Sequence, residues 1–507
     1  MRALAASALA VALAVGVAAC GGDDEEESGA PATAAVTPAD APLFGNAVVR
    51  PEGDQADAAD EALSKLLNTD DPGAFIAEQI DAPLQDDAGI TYSEDVEPWL
   101  GEHVGLFVTS FAEEPDGAFI AEVTDQSAAA DAIEKVEETQ GPSTDRTYKG
   151  IEYRVEDAGS AVGFVEDFLV AGSEAGFRDA VDASEGDSLG DDDAFQGALE
   201  TAPDDALVNL YADAPTVLDR VVEAGDLDEP TRATLEAQIG PAAEGTALAS
   251  VSAASDYLAL ETQTAAADTP EPEESPLLRE FPADSWFAFG FANYGEYVVR
   301  SLGQAGDGAA GELLDSELEA MLGVDLDELT GWIGDTAGYA SGASIFGLGG
   351  ALVLETTDET ESANALGAIG RSLGSDPSVQ VEPLGGDEPG FTVGISDAPV
   401  QITVEQREGR VVAGLGDQSV EDVFEPTDTL GESDAFGAAS ETLGDDYAAQ
   451  FFLDFEPVLE LFESTGAADD DPDYVEAKPY LDHLDHLIVG QRRADESDVF
   501  RVVLGLR

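Results

Sequence analysis

Apolar and polar residues alternate along several short stretches of the chain. Ile151, Tyr153 and Val155 interleave with Glu152, Arg154 and Glu156, the period of two that marks a strand with one wet face. Phe391, Val393 and Ile395 repeat the pattern, as do Val400, Ile402 and Val404. Elsewhere apolar positions run together: Phe119-Ile120 and Leu352-Val353 sit in short runs suited to more deeply buried strands. Each run leads to a Thr-Asp pair, Thr124-Asp125 or Thr357-Asp358, whose aspartate is placed as a helix N-cap. Past the caps the spacing becomes helical, through Ile133 and Val136 in one segment and Leu366, Ile369 and Leu373 in the other. Closing hairpins are expected to end at Tyr257 to Leu260 and at Val499 to Leu504. Consecutive strands joined by short turns pair antiparallel. The pattern therefore predicts an α+β protein, a mainly antiparallel sheet with helices packed on one face.

The same elements occur twice. Pro38-Ala39-Asp40 opens the first series and Pro282-Ala283-Asp284 the second. Pro98-Trp99-Leu100-Gly101-Glu102 is answered by Gly331-Trp332-Ile333-Gly334-Asp335, and Glu122-Val123-Thr124-Asp125 by Glu355-Thr356-Thr357-Asp358. Ser188-Leu189-Gly190 with Asp193-Ala194-Phe195 returns as Thr429-Leu430-Gly431 with Asp434-Ala435-Phe436. The matches keep their order, and their spacing far exceeds the roughly 20–50 residues of a solenoid repeat. Two tandem copies are expected, residues 38–264 and 281–507, joined by a linker over 265–280 that carries Pro270, Pro272 and Pro276 among acidic residues.

The beginning of the chain has a different character. Met1-Arg2 gives a positive start, and Ala3 to Val17 is an unbroken run of small and apolar residues. The run is shorter than the roughly 20 residues needed to span a bilayer and fits the apolar core of an export signal. Val17-Ala18-Ala19-Cys20 then resembles the lipobox of bacterial lipoproteins. That resemblance implies a signal peptide over residues 1–19 and lipid attached at Cys20, which anchors the chain to the membrane. Residues 20–37 lack apolar periodicity and read as a lipidated flexible tether with a span of roughly 20–25 Å. The resulting localisation is the cell membrane, lipid-anchored and exposed on the extracytoplasmic side. No later apolar run approaches the length of a spanning helix.

Composition narrows the partners. Against 108 Asp and Glu there are 20 Lys and Arg, a net charge of −88 over 507 residues. Such a field repels phosphate backbones, so no nucleic acid is expected as a partner. The acidity fits either a well-solvated exported surface or adaptation to salty surroundings, in which short-range screening relieves self-repulsion. The apolar share of 43% is that of a globular protein with real cores. Cys20 is the one cysteine, so no internal disulfide forms and no cysteine nucleophile remains.

Candidate chemistry is sparse. Trp99 and Trp332, at matching places, are read as packing anchors in preference to the lining of a ligand groove. His483 and His486 share a side if they lie on a helix, yet they have no third histidine nearby and no counterpart in the first copy. Asp469 to Asp473 and Asp191 to Asp193 lack the glycine and the spaced glutamate of a calcium loop. No Gly-x-Ser-x-Gly elbow, P-loop or Ser-x-x-Lys occurs. Gly347-Leu348-Gly349-Gly350 precedes a strand, unlike a dinucleotide loop. No catalytic, cofactor-binding or metal site is assigned, and Cys20 is the one site residue.

The Pro-x-Asp opening, the Trp-Leu/Ile-Gly element, the strand–Thr-Asp–helix step and the Leu-Gly…Asp-x-Phe step resemble an uncharacterised bacterial family with a domain of unknown function, common in actinobacteria and cyanobacteria. The resemblance spans Pro38 to Arg507 and implies no activity. The expected function is a secreted, lipid-anchored envelope protein that binds a hydrophobic ligand or an envelope protein without catalysis. A salt-adapted structural surface protein and a carboxylate-dependent hydrolase are the alternatives.

Overall fold

A computed structural model describes residues 30–112, 115–156, 159–225, 229–266, 270–295, 324–344, 347–385, 389–395, 401–466, 468, 471–494 and 497–507. The chain divides into two compact units. The first runs to Pro270 and also takes Arg493–Arg501 and Leu506–Arg507, while the second is Glu271–Arg492 with Val502–Gly505. The first unit thus takes in two segments that follow the second unit's main span.

The first unit contains β1 (Leu43–Val48), β2 (Leu100–Val108), β3 (Gly117–Val123), β4 (Thr144–Tyr148), β5 (Ile151–Val155), β6 (Ser160–Val165), β7 (Phe168–Ser173), β8 (Ala206–Asp213), β9 (Thr246–Ala254) and β10 (Tyr257–Ala265). They pair antiparallel in the order β10-β9-β8-β1-β2-β3-β7-β6-β5-β4. The predicted alternation at Ile151 to Glu156 is β5, where Tyr153 and Val155 are buried and Glu152 is exposed.

Successive strand residues face opposite sides, and in this sheet both sides are apolar. On β3, Ile120 belongs to one buried cluster and Ala121 and Val123 to another; on β7, Val170 and Leu169 divide likewise. The first cluster is covered by Phe177, Ala180 and Val181 of helix Glu174–Glu185 and by Phe195 of helix Asp193–Leu199. The second is covered by Ile80 and Leu84 of helix Pro72–Ala88 and by Ala129 and Val136 of helix Gln126–Gln140. The expectation of helices on one face is therefore corrected. Strands with apolar residues at consecutive positions need cover twice, and helices supply it on both faces.

The approach of helix Glu174–Glu185 depends on glycine. A Cβ at Gly172 or Gly176 would collide with the Gly117 carbonyl oxygen, so only hydrogen there lets the helix start this close to β3.

The second unit contains β11 (Ser285–Phe291), β12 (Ile333–Ser341), β13 (Gly349–Thr356), β14 (Val379–Pro383), β15 (Gly390–Ile395), β16 (Gln401–Arg407), β17 (Arg410–Leu415), β18 (Ala448–Asp454) and β19 (Leu484–Ala494). Their antiparallel order is β19-β18-β11-β12-β13-β17-β16-β15-β14. Val400, expected to open a strand, lies outside the described residues. Trp332, Ala365, Leu366, Phe391 and Val411 form a buried cluster beneath helix Glu359–Leu373. The neighbouring Val412 faces the other way, where a Cβ on Gly414 would lie 2.8 Å from Val420 Cγ2 of helix Gly416–Phe424. Here too both faces are covered. A last strand, β20 (Ser497–Leu506), completes the chain.

Phe195 and Phe436 are fully buried. Phe195→Ala and Phe436→Ala are each expected to cost about 3–5 kcal/mol of stability, read by chemical denaturation followed by circular dichroism.

Candidate functional site

Cys20, the predicted lipidation residue, lies outside the described residues. The other singled-out residues can be placed.

Trp99 and Trp332 are buried, 5% and 2% exposed. The Trp99 indole donates to Asp95 O at 2.6 Å and that of Trp332 to Glu328 O at 3.1 Å. The Trp99 carbonyl accepts the Thr124 amide and hydroxyl at 2.8 and 3.1 Å, and the Trp332 carbonyl accepts those of Thr357 at 2.7 and 3.0 Å. Each tryptophan thus fixes the end of a strand against the start of a helix. Asp125 then accepts the Ser127 and Ala128 amides at 2.9 and 3.1 Å, and Asp358 accepts those of Thr360 and Glu361 at 2.8 and 3.0 Å. Both aspartates are N-caps, as the sequence predicts.

The other repeated step is also an anchor. Leu189 N donates to Thr37 O at 2.8 Å and Leu430 N to Phe281 O at 2.6 Å. Phe195 meets Tyr211 edge-on at 5.1 Å between ring centroids, and Phe436 meets Phe452 edge-on at 5.3 Å. Such pairs combine large burial with a fixed geometry.

The aspartate runs serve as caps. Asp192 accepts Ala194 N and Phe195 N at 3.0 and 2.9 Å, and Asp191 accepts the Ser188 hydroxyl at 2.8 Å. Asp471 caps helix Pro472–Leu481 through Asp473 N at 3.0 Å, while Asp469 and Asp470 lie outside the described residues. Among the described residues no group of three or more His, Cys, Asp or Glu is placed to hold a metal ion.

The histidines do not share a helix. His483 lies in a turn and His486 in β19, where it is 5% exposed. His486 Nε2 is 3.0 Å from Thr442 Oγ1 and Nδ1 is 3.0 Å from Asp485 Oδ2. Hydroxyl, imidazole and carboxylate thus line up as in a nucleophile–base–orienter set. However, Thr442 Oγ1 is also 2.8 Å from the Ala439 carbonyl, to which it donates, and the ring lies against Gly505, whose added Cβ would strike it. This fits a satisfied core histidine better than an accessible base.

One polar feature had no forecast. Asn46, Asn209, Ser250 and Glu261 face one another in register across β1, β8, β9 and β10. Thr33 donates to Asn46 at 2.8 Å, Ser250 to Asn209 at 2.6 Å and Arg501 to Glu261 at 3.0 Å. Beside this row a recess of about 10 Å³ is lined by Thr201, Leu248, Ser250, Glu261, Gln263 and Val499, among others. Ligand pockets run to roughly 300–1,000 Å³, so this recess is too small for a lipid. Its sequence signal is weak: Asn, Ser and Glu at inward positions of otherwise apolar strands.

A second acidic feature bears on acid–base chemistry. Among the described residues Asp179 is the one carboxyl held above its ordinary pKa, through burial first and then the nearby Asp116 and Asp40, opposed by a hydrogen bond from Thr109. A raised carboxyl among acids suits a general acid, yet Asp179 does not line the recess described above.

These elements define an α+β protein built on antiparallel sheet with helices on both faces. The chain belongs to the DUF3352 family of proteins of unknown function, whose model matches residues 3–499. Among solved structures, crystal form IV of TP0453 is 11% identical, covers 46% of this chain and 79% of that one, and gives a TM-score of 0.25. Crystal form I of TP0453 is 9% identical, covers 78% and 97%, and gives 0.17. Likeness at those scores carries no argument about this fold. None of the curated proteins matches the chain.

Asp125→Ala and Asp358→Ala are each expected to lose about 1 kcal/mol, the usual cost of an N-cap, measured as a lower Tm. Asp179 has its folded pKa raised, so its contribution to stability is greatest in acid and is lost as pH rises through that value. Asp179→Asn should therefore raise Tm at pH 7, and the gain should vanish as the pH falls through the ordinary carboxylate range.

Proposed function

We propose that the protein is a lipid-anchored lipoprotein of the cell envelope, held on the outer side of the cytoplasmic membrane, that binds a partner without catalysis. One observation carries the proposal: an apolar run from Ala3 to Val17 ends in Val17-Ala18-Ala19-Cys20, with the chain's one cysteine at the lipidation position. Among the described residues no helix is long and apolar enough to cross a membrane, which is compatible with attachment through lipid. A diacylglyceryl group supplies the two acyl chains that stable anchoring needs.

We also infer that the two units are copies of one domain. The likeness lies in matched bonds: a tryptophan carbonyl receiving both groups of a threonine, an aspartate cap one residue later, and a phenylalanine edge-on to an aromatic ring. Nine strands of each unit follow the same order. A biased composition does not produce such matches.

For the ligand, an exposed apolar patch favours an envelope protein. Leu210 and Leu260, 45% and 41% exposed, lie on one face of β8 and β10 and give a small apolar surface of the kind partners cover. A charge of −88 favours a second reading, a salt-adapted structural surface protein. A Tm that stays constant from low to high salt would set that second reading aside.

Intact-mass analysis of the membrane-purified protein tests the anchor. The expected product begins at Cys20 and carries a diacylglyceryl group, and Cys20→Ser should lose the membrane fraction. An unmodified Met1 terminus, or wild-type protein in the cytosol, would overturn the proposal.

A further inference from the structure

The two units repeat one more feature, and it lies at the surface. In the first, Leu210, Gly45, Leu106 and Phe119 stand side by side in register across β8, β1, β2 and β3. In the second the matching row is Phe451, Phe289, Gly338 and Leu352, across β18, β11, β12 and β13. Glycine and a large apolar residue exchange places between the two rows. A Cβ on Gly45 would lie 3.0 Å from Leu210 Cδ2 and 3.4 Å from Leu106 Cγ, so those leucines close over the glycine. In the other row Phe289 closes over Gly338, where a Cβ would lie 2.6 Å from its Cε1. The residues differ, yet a continuous apolar row results both times.

A row that served to fill a core would be buried, and these rows are not. Leu210 is 45% and Leu352 41% exposed, and Leu106, Phe119, Phe289 and Phe451 are half-buried. Apolar surface left open at the same place in both units is of the kind that a partner covers. The charge nearby narrows the choice of partner. Gly45 lies two residues inside β1 and Phe289 four inside β11. At the end of the sheet where β1 begins, Asp40 and Asp116 add to burial in holding the Asp179 carboxyl above its ordinary pKa. Arg220, 3.8 Å from Asp40, offsets part of that charge. Where β11 begins, burial first and then Asp422 and Asp284 raise the Tyr339 hydroxyl, against its bond to Ser419. Each row thus has carboxylates along one rim.

We propose that each row is the centre of a docking surface for a protein whose own apolar side chains are ringed by lysine or arginine. The proposal rests on the partner-binding reading above and names the chemistry of that partner. A second copy of this chain would bring another charge of −88 against an acidic rim, which opposes its approach. An anionic lipid surface is opposed in the same way. A basic protein is drawn toward the rim, which speeds the encounter. The apolar row then supplies the desolvated contact that holds it.

The test uses the full chain carrying Cys20→Ser, so its outcome is independent of the anchor. The probe is a fluorescent amphipathic peptide of leucine and lysine, compared at physiological salt with one in which serine replaces every leucine. The leucine peptide should bind about tenfold more tightly or better, and Leu210→Ser with Leu352→Ser should remove that advantage. Both leucines are exposed, so Tm should stay unchanged in the double variant. A photo-crosslinking form of the peptide, which needs no substitution in either row, should attach to β8, β2 or β13. Equal binding of the two peptides would overturn the proposal, since charge alone would then suffice. Unchanged affinity in the double variant, or crosslinks confined to other elements, would also overturn it. So would a dimer in sedimentation that the double variant dissociates, because a second copy would then be the occupant. Binding of neutral phosphatidylcholine vesicles that the double variant loses would assign the rows to lipid instead.

Discussion

Consecutive apolar residues on the central strands set the terms for the rest of each unit. Ile120 and Ala121 on β3, or Val411 and Val412 on β17, cannot both face one core, because successive residues of a strand point to opposite sides. A sheet with one covered face would leave half of them in water, at roughly 25 cal/mol for each Å² of apolar surface exposed. Helices must therefore pack on both sides, and the chain must switch repeatedly between strand and helix at close range. The Thr-Asp steps perform that switch. Thr124 and Thr357 tie the end of a strand to a tryptophan carbonyl, and the next residue caps the helix.

Local features of this scheme were legible in the sequence. The alternation at Ile151 to Glu156 is β5, and Asp125 and Asp358 are caps, because each depends on a few neighbouring residues. Helices on both faces were not foreseen, although the apolar runs at Phe119-Ile120 and Leu352-Val353 carried the signal. Two adjacent apolar residues on one strand face opposite sides and so require cover on both. His483 and His486 were misplaced for a related reason: three-residue spacing fits a helix, but β19 begins between them and sends His486 into the core. The polar row from Asn46 to Glu261 was invisible, since its members come from four strands and meet only through register.

The acidity acts mostly outside these cores. With 20 basic residues for 108 acidic ones, most carboxylates have no cation to pair with. The cations present are shared: Glu174 accepts from both Arg146 and Arg178, and Lys478 lies 2.8 Å from Glu463 and 2.7 Å from Asp482. Contacts of this exposed kind contribute little and are screened by salt. Several aspartates are instead used locally, as caps whose oxygens accept backbone amides. A cap needs no counter-ion, because the amides at a helix start already supply partial positive charge.

Glu261 departs from that pattern, being a buried carboxylate paired with an arginine. An exposed aspartate cap can lose a neighbouring cation and remain solvated. The Glu261 side chain is 6% exposed and pairs with Arg501. In register with it lie Ser250, engaged with Asn209, and beyond that Asn46, bound by Thr33. These are neutral dipoles that can extend the row but cannot balance a full charge. The row draws on residues 46 to 261, while Arg501, which donates to Glu261, lies 240 residues further along the chain.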